Sequence, residues 1–129
     1  EAKHHKKRKI LFGVGLSSAL ELGDKFLPWL KDRFSVFEKS VNSLDLGIYV
    51  YPPDMRQWDN ALGKEFTQEV IKILQDKAMQ GVCDLCHMYQ MEEKDLLWEY
   101  DAYYGSASPL AHGFSNLNKP VMLGEILSN

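Results

Sequence analysis

Cysteine is scarce: Cys83 and Cys86 are the only two in 129 residues. That count excludes a disulfide-stapled secreted scaffold and makes a reducing cytoplasm the expected setting. Long apolar runs are missing too. None approaches the roughly 18 residues of a membrane span, and the first residues lack the apolar stretch of a signal peptide. Basic charge is scarce outside the first nine residues. Lys3, Lys6, Lys7, Arg8 and Lys9 supply five of the 15 basic residues, and residues 10–129 hold 10 basic against 17 acidic ones. Such a body is a poor surface for nucleic-acid phosphates. The basic start, residues 1–8, reads as a solvated linker into the first strand.

What is present is enough apolar material for one core. Hydrophobic residues make up 45% and aromatics 12%, which excludes intrinsic disorder. The run Lys9-Ile10-Leu11-Phe12-Gly13-Val14-Gly15 predicts a strand buried on both faces. Further strands are expected at Leu46–Tyr51, Gly81–Leu85, Asp101–Gly105 and Pro120–Leu123. Helical spacing links Phe26, Leu30, Phe34 and Phe37, with Asp24 as expected N-cap and Pro28 tolerable only in a first turn. A second helix carries Leu62, Phe66, Val70, Ile73 and Leu74 and ends at Gly81. A third spans Glu92–Tyr100, and a fourth runs from Pro109 to about Leu117. Strands alternating with helices predict an α/β fold: a three-layer Rossmann-like sandwich with a parallel sheet of about five strands over residues 9–129. Ligands of such sheets bind where strand order reverses, beyond the carboxyl ends. The loops 13–24, 51–61, 84–92 and 105–109 are therefore the expected binding side.

Two of these loops carry residue types suited to an anion. Ser108 is placed to cap a helix whose first residue is Pro109, so free amides and the positive dipole end face outward, with Ser106 beside them. Gly13, Gly15, Ser17 and Ser18 offer backbone that a ligand can approach closely and two hydroxyl donors. Without a third glycine this is no dinucleotide fingerprint, and NAD is not expected. His112, in the first turn of the last helix, and Arg56 are further candidates for meeting a phosphate. Lys119 reads as a turn residue. Trp29, Trp58 and Trp98 read as core, with Tyr51 or Trp58 the best candidate for stacking on a base. The pattern Cys83-x-x-Cys86-His87 matches haem attachment in spacing, but no export signal accompanies it. It also offers only three zinc ligands, and two ordinary thiols are the expected reading. A receiver domain needs an acidic pair after the first strand, where Gly15 and Leu16 stand instead.

The segment KILFGVGLSSALE (residues 9–21) resembles the opening of the C-terminal domain in bacterial proteins similar to CDP-glycerol glycerophosphotransferases. The segments DAYYGSASPL (101–110) and NKPVML (118–123) resemble the same family's closing motif, so the likeness spans residues 9–124. It implies two Rossmann-like domains, of which this chain is the C-terminal, donor-nucleotide-binding half of a larger enzyme. The implied activity is transfer of a glycerol-phosphate, polyol-phosphate or sugar unit from a CDP- or UDP-linked donor onto a wall or capsule polymer, with no cofactor and no metal. Acceptor site and catalytic base would lie on the N-terminal domain, and the full-length enzyme would sit at the inner face of the membrane. Taken with the residue readings above, the expected donor-binding residues are Gly13, Gly15, Ser17, Ser18, Arg56, Gly105, Ser106, Ser108 and His112; no catalytic residue is assigned. The chain departs from the family where an Arg-Pro-His-Pro motif is usual and Tyr51-Pro52-Pro53-Asp54 stands here, and where Ser106 replaces a common Asp. Those departures leave a second expectation, a non-catalytic nucleotide- or phosphate-binding module with a degenerate site.

Overall fold

Strand β1 (Arg8–Gly15) lies at the centre of the sheet, and residues 11–15 are all buried because both of its faces and both of its edges are covered. The computed structural model describes residues 8–39, 43–51, 54–85 and 92–123. Within them the order is β1, α1 (Leu16–Leu22), a 3-10 turn at Gly23–Lys25, α2 (Phe26–Glu38), β2 (Leu44–Tyr51), α3 (Met55–Leu62) and α4 (Lys64–Met79). Then follow β3 (Asp84–Leu85), α5 (Glu93–Glu99), β4 (Ala102–Gly105), α6 (Pro109–Asn116) and β5 (Val121–Leu123). The sheet order is β3-β2-β1-β4-β5 and every pair is parallel. Strand order therefore reverses between β1 and β4, where Gly13 pairs with Gly105.

Alternation along the strands divides the core into two layers. Phe12, Val14, Leu46, Ile48 and Val50 face α1–α4, meeting Phe26, Leu30, Phe34, Trp58, Val70 and Leu74. Leu11, Tyr49 and Tyr103 face α5 and α6, meeting Leu96, Leu110 and Phe114. Fully burying one such large apolar side chain contributes about 1.5–3 kcal/mol, so these two clusters outweigh any single polar contact. The fold is the expected α/β three-layer sandwich with five parallel strands. No helix among the described residues is long and apolar enough to cross a membrane.

Several local expectations are corrected. The chain turns helical at Leu16, so residues 16–22 are α1 and not part of an open loop. Asp24 caps nothing: it sits in a 3-10 turn between two helices, where the preceding turn already supplies the carbonyls that α2 needs. Pro28 is the third residue of α2, within the first turn, as its missing N–H requires. The expected loop 51–61 contains α3, capped by Asp54, whose carboxylate accepts from the Arg56 amide at 3.0 Å. Leu62 ends α3 and does not begin the next helix. Only Asp84 and Leu85 pair in the expected strand 81–85. Trp98 is 73% exposed on α5 and is not core, whereas Trp58 is 1% exposed and unavailable for base stacking. Tyr51 is half-buried and stacks on Tyr49. Residues 1–7 of the basic linker, the Pro52–Pro53 pair, and Cys86 with His87 lie outside the described residues.

Candidate functional site

The β1 and β4 strands end side by side, and each passes into a helix on an opposite face of the sheet: β1 into α1, β4 through Ser106–Ser108 into α6. Their amino termini therefore lie side by side at the switch point, each with amides at the positive end of its dipole. The Ser106 amide donates to the Gly13 carbonyl at 3.0 Å, and the Ser106 hydroxyl accepts from the Gly15 amide at 3.1 Å. Ser18 Oγ lies 2.6 Å from Ser106 Oγ, and both residues are buried. Ser106 thus ties the start of α1 to the end of β4.

A second chain of bonds runs along β4. Tyr103, fully buried, donates its hydroxyl hydrogen to the Ser106 carbonyl at 2.5 Å. With that hydrogen committed, the Ser108 hydroxyl 3.2 Å away donates to Tyr103. Ser108 also caps α6, accepting from the Ala111 amide at 3.4 Å, as its place before Pro109 leads one to expect. Burial pushes the Tyr103 hydroxyl up to about 12, opposed by the Ser108 hydrogen bond. It stays protonated throughout the physiological range.

The glycines have a different task from close approach to a ligand. A Cβ on Gly13 would sit 1.8 Å from the Tyr103 hydroxyl oxygen, and one on Gly15 would sit 2.7 Å from Ser106 Cβ. Gly105 combines φ +132° with a Cβ position 2.3 Å from the Gly13 carbonyl oxygen. These residues let β4 and its turn pack on β1. Tyr103, which the sequence marks only as part of the expected strand Asp101–Gly105, is the side chain that fixes this geometry. The signal available for it was its place two residues before Gly105, the turn glycine that pairs with Gly13.

Of the expected site residues, the fold brings Gly13, Gly15, Ser17, Ser18, Gly105, Ser106 and Ser108 together at the switch point. Ser17 is exposed in the first turn of α1, and His112 is exposed on the first turn of α6. Ser18, Ser106 and Ser108 are buried, their hydroxyls engaged within the protein. Arg56 stands apart at the head of α3, where its guanidinium holds both carboxylate oxygens of Asp54, at 3.2 Å and 3.0 Å. That pairing keeps the Asp54 carboxyl below its ordinary range. Lys119 is more than a turn residue: its ammonium donates to the carbonyls of Leu97 at 2.5 Å and Tyr100 at 2.7 Å, anchoring the end of α5. Cys83 is buried on the approach to β3, away from the switch point. Among the described residues, the hydroxyls of the switch point contact no histidine and no carboxylate that would make a nucleophile of them.

No family model matches the chain, and the comparisons with curated proteins and with solved structures find no match either.

Proposed function

We propose that this domain binds the diphosphate of a nucleotide-activated donor, CDP- or UDP-linked, in the crevice between the β1–α1 and β4–α6 turns. In this reading it is the donor half of a glycosyl or polyol-phosphate transferase of wall or capsule synthesis. A further domain of a longer polypeptide supplies the acceptor site and the catalytic base, and the enzyme works at the cytoplasmic face of the membrane. The observation that carries the reading is the pair of helix amino termini at the switch point, locked together by Ser106. Two amide-lined dipole ends suit a charged diphosphate better than an apolar ligand. Ser17 and His112 supply the exposed polar side chains at its rim.

With no Arg or Lys side chain placed on the crevice by these contacts, affinity in the isolated domain is weak, on the order of millimolar or about −4 kcal/mol. The test is a chemical-shift titration with CDP, UDP, CDP-glycerol and UDP-sugars. Shifts at residues 15–18 and 105–112 are expected. Shifts confined to other loops, or none at several-millimolar ligand, would remove the reading.

One observation favours a second reading, a nucleotide- or phosphate-binding module without catalysis. The buried hydroxyls are engaged by the protein itself, and the Arg56 charge is taken by Asp54. The full-length protein separates the two. Donor binding with release of a nucleotide product in the presence of acceptor marks the transferase, and binding without turnover marks the module.

A further inference from the structure

We draw no further inference here: the strongest candidate, the groove between α2 and the face of β4 and β5 lined by Ile10, Arg33, Val36, Phe37, Tyr104 and Met122, carries none because nothing in the structure shows what covers it.

Discussion

Ser18 and Ser106 meet across the β1–β4 seam with hydroxyl oxygens 2.6 Å apart, 88 residues apart in sequence and both buried. The contact joins the first turn of α1 to the turn that follows β4, at the one place where strand order reverses. These hydroxyls hold the start of α1 against the turn after β4. In the proposed site a ligand would meet amides and the exposed Ser17 and His112, with the buried serines as positioning residues behind it.

Replacing Ser106 should therefore cost more than replacing Ser18. Ser106→Ala removes the acceptor of the buried Gly15 amide as well as the partner of Ser18, and a destabilisation of about 1–3 kcal/mol is expected. Ser18→Ala leaves the Gly15–Ser106 bond intact and should cost about 1 kcal/mol. Urea unfolding of both single variants and the double variant measures this, and the double should cost less than the two singles added. Strict additivity would mean that the two hydroxyls do not interact.

The glycines of the seam make a sharper contrast. Gly13→Ala drives a methyl into the Tyr103 hydroxyl, held by two bonds in a packed layer, and should cost about 3 kcal/mol or more. Gly113→Ala, in α6, meets the end of the Leu97 side chain at 2.7 Å, a group that can swing aside, and gains helix propensity. It should stay within about 1 kcal/mol of the parent. Thermal unfolding of the two variants separates them, and equal loss would contradict the packing role assigned to Gly13.

The strands and their parallel arrangement were legible because continuous apolar runs such as Ile10–Val14 and Ile48–Val50 mark strands buried on both faces without long-range information. Helix α1 was not legible: seven residues between Gly15 and Gly23 carry no cap signal, and glycine at both ends reads as loop. Helix α3 was hidden in the same way, behind two prolines and a short amphipathic stretch whose one buried residue is Trp58. The meaning of Gly13 and Gly15 depended on partners 90 and 91 positions away. A local Gly-x-Gly pattern looks the same whether a phosphate or a tyrosine ring occupies the space beside it.

Lys119 is a case where a residue read as a turn filler joins two elements. Its ammonium satisfies the carbonyls of Leu97 and Tyr100 at the end of α5 and lies 5.8 Å from the rings of both Trp98 and Phe114. Lys119→Met keeps the stem but withdraws the charge from a helix carboxyl end, and a loss of about 1–3 kcal/mol is expected. Hydrogen exchange should speed up in α5 before α4 responds. Unchanged protection in α5 would mean that the ammonium is ornamental there.

Tyr103 makes the chain sensitive to alkali in a defined window. Its hydroxyl is raised from 10.0 to about 12 in the folded chain, by burial first, with the Ser108 bond opposing. Between those two values the unfolded chain has released the phenolic proton while the folded chain still holds it. The stability this group contributes is therefore complete below the unfolded value and is lost as pH rises through the folded one. A difference of that size corresponds to about 2–3 kcal/mol. Tyr103→Phe lacks the titration, but at neutral pH it gives up the bonds to Ser106 and Ser108 and should be less stable than the parent by about 1–2 kcal/mol. Urea midpoints measured from neutral pH into strong alkali should bring the two proteins together or reverse their order. The other titrating groups, Lys9 among them, are common to both and cancel in the comparison. A constant gap across the range would mean that Tyr103 ionises no later in the folded chain than in the unfolded one, and that its hydroxyl is not held in the buried chain of bonds between Ser106 and Ser108.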